Sequence, residues 1–401
     1  MRNITRYTYR TVITAMKGTQ PKRTPLFKKE SNGCVYRIPS LIYIAGENIF
    51  LAFAEKRKSE SDVDADSLVM RRGIYKTGYV TWEGLQSLHD ICLKDHRMMN
   101  PCPVYEDTSK TVFLFFNCIP IAMTEQQMKK WGNSSKLLYS TSGDCGKTWS
   151  APTDITNVTN GIRNMATFYI SPGHGIQTQC GKLVVPAYVY VAKFWFIHWW
   201  YTKAHAFYVY SEDQGNRWRI SERIEKLECG ECQLAEVTSE DGQKMLYCNA
   251  RSPSKKRVEA LMLNIGGQFK IAEKSGKLKE TEKDGCSGSV LGFPGQEQPG
   301  QERRHWLLFS HPTKKVRSHL GLFLNKSPLM FDAWSEPWVI HDGPSAYSDL
   351  ADCKDANTFA ILFESGANSP YEEINFCLFT LEDVMGNINK KKSFIANLFK
   401  K

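Results

Sequence analysis

Short apolar runs recur along the whole chain and are separated by turn-forming clusters. Typical runs are SLIYIA, NIFLAFAE, TVFLFFNCI, KLVVPAYVYV, HWLLFSH and INFCLFT. Runs of this kind are strand-like, whereas amphipathic helical windows are scarce before the last twenty residues. The pattern therefore predicts an all-β fold, namely a sandwich, a barrel or a propeller.

Two copies of one turn motif, S-x-D-x-G-x-[T/R]-W, follow strand-like runs at residues 142–149 (SGDCGKTW) and 211–218 (SEDQGNRW). An Asp at the start of a turn can accept hydrogen bonds from the N–H groups ahead of it, and the Gly allows a positive φ. Arg217 occupies the T/R position of the second copy, and residues 263–269 (LNIGGQF) are a degenerate third copy. One repeated hairpin type favours a propeller over a sandwich, and we expect these boxes to be structural.

The chain of 401 residues divides by composition into three parts. Residues 1–30 are interpreted as an N-terminal extension, residues 31–385 as the β domain and residues 386–401 as a basic amphipathic tail. Within the domain, residues 292–305 are rich in Gly, Pro and Gln, which predicts a disordered surface loop. The most hydrophobic stretch, residues 184–205, contains Pro, Lys and His and does not predict a membrane-spanning helix.

The formal net charge of +10 favours an anionic partner. We find no motif typical of nucleic-acid binding, so nucleic acid is not predicted as a partner. The tail sequence NKKKSFIANLFKK would suit an anionic membrane surface if helical, and a terminal helix packed on the domain is an equal alternative. Because no signal peptide is evident, we expect a peripheral membrane protein or, alternatively, a cytosolic one.

Metal and cofactor chemistry have little support in the sequence. The twelve cysteines show no framework spacing, and the single C-x-x-C pair, Cys229 and Cys232, is a weak signal for zinc or redox chemistry. The nine histidines include no H-E-x-x-H motif. We therefore predict no metal and no cofactor.

Arg37 stands between apolar residues in CVYRIPSLIYI, where a structural salt bridge would be the ordinary explanation. Together with the two turn motifs, however, YRIP resembles the exo-α-sialidase (neuraminidase) family, in which such repeats are called Asp boxes. HRMMNPCPV, VVPAYVY, ECQLAEV, NARSP and AYSDL resemble its vertebrate members, and HLGLFLN its plasma-membrane-associated ganglioside sialidases. The similarity runs from about Arg37 to Thr380 and implies a six-bladed β-propeller with Asp-box hairpins.

The resemblance also implies how a sialic acid would be bound. Three arginines, Arg37, Arg251 and Arg317, match those that hold the substrate carboxylate, a charge-assisted and bidentate interaction. Glu364 matches the acid that positions the first arginine. Further pocket residues implied by the family motifs are Glu55, Arg57, Met99, Asn100, Glu125, Tyr188 and Tyr190. Ser287 replaces the Gln usual in relatives and is left out of this set.

The catalytic groups follow from the same resemblance. Tyr347 matches the family nucleophile, since a neutral phenol avoids repulsion from the substrate carboxylate if a base takes its proton. Glu231 matches that base, and Glu236 is the competing choice. Asp62 matches the acid/base, although Asp64 and Asp66 lie in the same loop.

The expected function is that of a retaining exo-sialidase that hydrolyses terminal sialic acids from glycolipids, with glycoproteins or oligosaccharides as further candidate substrates. Two alternatives use the same pocket: a sialic-acid-binding lectin without turnover, and an enzyme that transfers sialic acid to another sugar. An Asp-box propeller that serves only as an interaction module would leave the three arginines unexplained.

Overall fold

The computed structural model describes residues 21–192, 202–239, 242–263, 265–282, 284–296, 305–354 and 358–388. The first strands in chain order are β1 (Thr24–Lys28), β2 (Val35–Ile44), β3 (Ile49–Arg57), β4 (Ala65–Lys76), β5 (Tyr79–Trp82), β6 (Gln86–Ser87), β7 (His96–Glu106), β8 (Thr111–Pro120), β9 (Lys136–Ser142), β10 (Thr153–Asp154), β11 (Met165–Ile170) and β12 (Ile176–Gln177). The remaining strands are β13 (Leu183–Ala192), β14 (Thr202–Ser211), β15 (Arg219–Ile220), β16 (Cys232–Thr238), β17 (Lys244–Ala250), β18 (Lys256–Met262), β19 (Phe269–Lys279), β20 (Ser289–Pro294), β21 (His305–Pro312), β22 (Ser318–Asn325), β23 (Trp338–Asp352), β24 (Thr358–Ser365) and β25 (Glu373–Thr380).

Helical structure is a minor part of the described chain. Helix α1 (Glu125–Trp131) begins with a capping box in which Thr124 and Gln127 satisfy each other's backbone N–H groups. Residues 381–388 are also helical. Short 3₁₀ turns occupy Ala45–Glu47, Asp62–Asp64, His89–Ile91 and Thr156–Gly161.

The strands form antiparallel sheets that follow one another along the chain, which confirms the all-β prediction. The sheet orders are β2-β3-β4-β5, β7-β8-β9-β10, β11-β13-β14-β15, β16-β17-β18-β19 and β20-β21-β22-β23-β24-β25-β1. The N-terminal strand β1 thus completes the last sheet by pairing with β25. This arrangement is propeller-like, since each sheet is a meander and the two chain ends meet in one sheet.

Apolar clusters hold successive sheets together. Phe53, Leu114 and Phe116, for example, lie between the sheet of β3 and that of β8. Cys229 and Cys232 lie in such a cluster, buried among apolar side chains. Strands such as β3 and β8 are accordingly buried at nearly every position, since neighbouring sheets cover both of their faces.

A polar hub joins the inner strands of several sheets. The buried Asp349 on β23 accepts hydrogen bonds from Leu41 N at 2.8 Å and from Ser289 Oγ at 2.8 Å. Its carboxylate also bonds His174 Nδ1 at 2.7 Å. These bonds hold β2, β20 and the segment before β12 around one axis at β23. The ends of these strands that lie at the candidate site are thereby brought close together.

Residues 58–64, 121–135, 251–255, 313–317 and 366–372 lie at one end of the sheets. We call this end the upper face. Each of these segments connects two strands that pair with each other, namely β3 with β4, β8 with β9, β17 with β18, β21 with β22 and β24 with β25. The opposite end, the lower face, contains the Asp-box turns. In the first box Asp144 Oδ1 accepts from Lys147 N at 3.0 Å and Thr148 N at 2.9 Å, and Trp149 packs on Phe53.

The second box keeps fewer of these bonds. Asp213 Oδ1 accepts from Arg217 N at 2.8 Å, and Trp218 packs on Phe115 with ring centroids 4.7 Å apart. The degenerate third copy is the turn between β18 and β19, where Gly266 has a φ of 90° and donates to Tyr208 Oη.

Some described elements lie within the segments that were distinguished by composition. Strand β1 lies inside the presumed extension of residues 1–30, because a single edge strand gives little local signal. The two ends of the presumed loop 292–305 belong to β20 and β21, which pair with each other. Residues 386–388 belong to a helical segment whose Leu381, Val384 and Ile388 are buried against the sheets.

Several sequence features lie outside the described residues. They are residues 1–20, the aromatic run 193–200, the loop residues 297–304 and the basic tail 389–401. Within the described part of the chain, no helix is both long and apolar enough to cross a membrane.

Candidate active site

Three inner strands are irregular at their upper ends. The register shifts between Arg37 and Ser40 on β2, between Met99 and Cys102 on β7, and between Ser345 and Ser348 on β23. Bulges of this kind re-aim a side chain at the rim of a sheet. Here they turn residues of three different sheets toward one point on the upper face.

Glu364 fixes the bulges of β2 and β23 in relation to each other. Its Oε1 accepts from Arg37 Nε at 2.7 Å and from Ile38 N at 2.8 Å, while its Oε2 accepts from Tyr347 N at 3.1 Å. Ile38 has a φ of 61°, an unusual conformation for a β-branched residue that the Glu364 bond holds in place. Burial opposes the charge of Arg37, but Glu364 outweighs it and raises the pKa of the guanidinium.

Tyr347, Glu231 and Arg251 form a compact triad. Tyr347 Oη donates to the Glu231 carboxylate at 2.7 and 2.8 Å from its two oxygens. Arg251 Nη1 donates to Tyr347 Oη at 2.8 Å and to Glu231 Oε2 at 2.7 Å. Burial raises the pKa of Tyr347 well above its usual value; Arg251 lowers it in part, and the charge of Glu231 adds to the rise. The phenol is therefore neutral and shares its proton with a carboxylate.

Arg317 completes the set of arginines. Its guanidinium lies 5.5 Å from the Tyr347 ring, and Nη2 donates to Gly285 O at 3.2 Å. Nη1 donates to Tyr371 Oη at 3.2 Å, and the Arg37 guanidinium lies 3.8 Å above the Tyr371 ring. Tyr371 thus bridges two of the arginines. The sequence analysis missed it, because a Tyr in the turn SPYEE gives no signal until β24 and β25 are placed.

Asp62 lies at the edge of the site on the β3–β4 connection. Arg57 Nη1 donates to Asp62 Oδ1 at 2.5 Å, and Arg57 Nε donates to Glu55 Oε2 at 2.8 Å. The side chain of Asp62 is 73% exposed, whereas those of Arg57 and Glu55 are fully buried. Partial desolvation raises the pKa of Asp62, but the charge and hydrogen bond of Arg57, with smaller effects of Arg37 and Arg317, lower it overall.

A cavity of about 410 Å³ adjoins this cluster, and Glu231 and Arg251 belong to its wall. Glu125, Tyr188 and Tyr190, which the sequence analysis singled out, line it as well. Lys129 pairs with Glu125 and lies 3.5 Å above the Tyr190 ring, a contact that sequence reasoning missed. The wall of the cavity thus combines charged side chains with two tyrosine rings, a lining that can both hydrogen-bond a polar ligand and pack against it.

Met99 and Asn100 lie behind this surface. Met99 packs in an apolar cluster with Tyr169 and Tyr188. Asn100 is buried, its N donates to Glu55 Oε1 at 2.6 Å and its side chain donates to Ile170 O at 3.0 Å. Burial raises the pKa of Glu55, although Arg57 counteracts it. These residues support the wall of the site from within.

The alternatives weighed from the sequence lie elsewhere. Glu236 accepts from Gln179 N at 2.9 Å and lines cavities other than the one beside Tyr347. It is five residues beyond Glu231 on an extended strand, which places it roughly 17 Å away. Asp64 accepts from Ser59 Oγ and Asp66 from Ser67 Oγ. Among these acids, only Asp62 contacts Arg57.

The chain is similar in sequence to known proteins of one family. The family profile of the BNR repeat-like domain matches residues 48–361. Sialidase-3 of Bos taurus and that of Homo sapiens are each 40% identical to this chain, over 91% of it and 94% of their own lengths. Sialidase-4 of Homo sapiens is 36% identical over 92% of this chain and 95% of its own length.

Solved structures show the same fold at lower sequence identity. The Hadza microbial sialidase Hz136 superposes with a TM-score of 0.70 at 20% identity, covering 87% of this chain and 66% of that one. Trypanosoma rangeli sialidase gives a TM-score of 0.65 at 17% identity, covering 96% of this chain and 62% of that one. The chain therefore spans somewhat less than two thirds of the length of both structures.

Proposed function

The chain belongs to the sialidase family, and on that basis we propose that it is a retaining exo-α-sialidase. The observation that carries the proposal is the Tyr347 hydroxyl, which donates to both oxygens of Glu231 and accepts from Arg251. A phenol in this setting can become a nucleophile once Glu231 takes its proton. A protein that only binds sialic acid would need the arginines but not this pair.

The proposed reaction begins with binding of the substrate carboxylate by Arg37, Arg251 and Arg317. Asp62 donates its proton to the glycosidic oxygen as the bond to the anomeric carbon breaks. Tyr347 Oη attacks that carbon while Glu231 accepts the phenolic proton, which gives a covalent tyrosyl sialoside and the free aglycone.

In the second step Asp62, now a carboxylate, takes a proton from water, and the water oxygen attacks the anomeric carbon. The bond to Tyr347 Oη breaks, and Glu231 returns the proton to the phenolate. Two displacements at one carbon retain its configuration. Sialic acid is released, and all three side chains regain their starting protonation states.

We further propose a six-bladed propeller. The N-terminal half of β23 pairs with β22 and its C-terminal half pairs with β24, with a register shift between Ser345 and Ser348. Phe293 on β20 and Phe359 on β24, which lie on either side of this shift in the strand order, pack against each other with ring centroids 4.8 Å apart. Two parts of one flat sheet would not face each other in this way, so the long sheet is best divided into two blades.

Glycolipids are the proposed substrate class, and a membrane surface is the proposed partner. The resemblance to ganglioside sialidases supports the first proposal. The upper face supports the second, because Val63, Ile121, Trp131 and Val316 are exposed there around the site. The basic tail 389–401, outside the described residues, would add attraction to an anionic leaflet.

The experiment that tests this function measures free sialic acid released from a fluorogenic sialoside, from gangliosides in vesicles and from a sialoglycoprotein. We expect release from all soluble aryl sialosides and a preference for gangliosides over the glycoprotein, with the α-anomer as first product. Binding without release would instead indicate a lectin. Sialylated acceptor sugars in place of free sialic acid would indicate a transferase.

A further inference from the structure

A second buried carboxylate, besides that of Glu364, also contacts the arginine-bearing segments. We propose that Glu280 is a positioning residue that orients Arg251 and Arg317 for carboxylate binding. The proposal rests on the function proposed above, in which these arginines hold the substrate carboxylate. Glu280 itself touches neither guanidinium and acts through the backbone.

Glu280 follows β19 and its side chain is fully buried. Its Oε1 accepts from Ser252 N at 2.9 Å and from Arg257 Nη1 at 3.0 Å. Its Oε2 accepts from Cys286 N at 3.2 Å. One carboxylate thus ties together two chain segments that approach the site from different strands.

Both segments orient the arginines directly. Ser252 is the residue after Arg251, so its N–H fixes the backbone that carries this side chain. Arg251 Nε donates to Asp284 O at 2.6 Å, and Arg317 Nη2 donates to Gly285 O at 3.2 Å. A shift of residues 284–286 would therefore turn both guanidinium groups at once.

Gly285 shows how closely the carboxylate and this segment approach. Its φ is 71°, and an added Cβ would lie 2.8 Å from Glu280 Oε2 and 3.1 Å from Arg251 Cγ. A contact under 3.0 Å would force Glu280 or the backbone to move. The glycine permits a close approach that any larger residue would disturb.

The charge of Glu280 is balanced inside the protein. Arg257 is also fully buried, and its Nη1 donates to Cys286 O at 2.7 Å as well as to Glu280. Burial raises the pKa of Glu280, but Arg257 and then His311, whose Nε2 lies 3.4 Å away, lower it to about 2. The carboxylate is therefore ionised throughout the working range. An anion with fixed partners is well suited to hold two loops in one geometry.

The test compares E280Q with E259Q in the full chain. Glu259 is equally buried but accepts from Tyr247 Oη at 2.5 Å and Trp334 Nε1 at 2.9 Å, and its side chain has no hydrogen bond to the arginine-bearing segments. The probes are the unsaturated sialic acid analogue 2-deoxy-2,3-dehydro-N-acetylneuraminic acid and its methyl ester. Titration calorimetry gives both affinities, and thermal unfolding shows that each variant is folded.

We expect E280Q to weaken binding of the acid by about tenfold or more, since hydrogen bonds to charged groups carry that much free energy. Binding of the ester should change little, and E259Q should retain the preference for the acid. E280D keeps the charge that Arg257 needs but is one methylene too short to bridge Ser252 and Cys286. It should therefore fold and show an intermediate loss, even if E280Q does not fold.

Two outcomes would overturn the positioning role. One is an unchanged preference for the acid in folded E280Q and E280D, and the other is an equal loss in E259Q. Failure of the underlying function would look different, because the wild-type protein would then bind the acid no better than the ester.

Discussion

The hydroxyl of Tyr347 is the single group on which the proposed chemistry depends. In Tyr347→Phe the nucleophile is lost while Arg37, Arg251 and Arg317 remain to bind a carboxylate. We expect turnover of a fluorogenic sialoside to fall by several orders of magnitude and binding of a sialic acid analogue to persist. Stopped assays and calorimetry measure the two quantities. Turnover near that of the wild type would contradict the covalent mechanism.

Asp62 is expected to set the acid dependence. A general acid must carry its proton, and the arginines around Asp62 hold its pKa below the usual value, so kcat/KM should rise as the pH falls into the acid range. In Asp62→Asn this rise should disappear. Turnover of natural glycosides should fall by roughly 10²–10⁴-fold, and that of aryl sialosides, whose leaving groups need less protonation, by much less.

The comparison of the two substrate classes within one variant serves as its own control, since folding and sugar binding are common to both. An equal loss for both classes would argue against Asp62 as the acid. A pH profile unchanged by the substitution would do the same.

Among the elements, the Asp boxes offer a comparison of two turns with one sequence motif. Asp144 accepts from two backbone N–H groups and from the hydroxyls of Ser142 and Thr148. Asp213 has Arg217 where the first box has Thr148, and it accepts from Ser211 Oγ and Arg217 N. Asp144→Ala should lower the free energy of unfolding by about 1–2 kcal/mol, a value kept small by the partial exposure of the turn.

Asp213→Ala should cost less than Asp144→Ala in urea unfolding, and neither change should alter kcat/KM, because both turns lie on the lower face. A larger cost at Asp213 would show that hydrogen bonds of the aspartate do not determine the stability of these turns. Loss of activity in either folded variant would show that the boxes affect the site.

At the scale of single elements, the sequence predicts those strands and turns that depend on residues close together in the chain. Strands such as β3 follow from short apolar runs, and the boxes follow from the hydrogen-bonding needs of a turn. Strand β1 does not, because it pairs with β25, which lies at the other end of the chain. The bulge after Arg37 depends on Glu364 capturing Ile38 N. Tyr371 and Glu280 look like ordinary turn residues until the sheets bring them beside the arginines.

The site residues named from the family resemblance lie on segments that are distant in sequence and meet only on the upper face. Their types could be matched to motifs, but their contacts could not, since each contact crosses between sheets. Asn100 illustrates the limit: the motif suggests a pocket residue, whereas the structure buries it against Glu55 and Ile170. Sequence similarity thus predicts which residues belong to a site more readily than it predicts the contacts between them.

At the scale of the whole molecule, the direction in which the site faces matters for a lipid-borne substrate. The sialic acid of a short glycolipid headgroup lies close to the bilayer, so the upper face would have to approach the surface. Ile121 and Val316 are exposed on that face by 63% and 60%. Met330, in the β22–β23 connection on the lower face, is exposed by 66% and provides a matched control.

The double variant Ile121→Ser and Val316→Ser should lower kcat/KM for ganglioside in vesicles by several-fold to tenfold, because apolar side chains that enter the interface gain free energy through burial. Turnover of a soluble fluorogenic sialoside should not change, since neither side chain belongs to the proposed catalytic machinery. Met330→Ser should leave both activities unchanged. An equal loss in Met330→Ser, or no loss in the double variant, would mean that the upper face does not dock on the membrane and that the substrate reaches the site by another orientation.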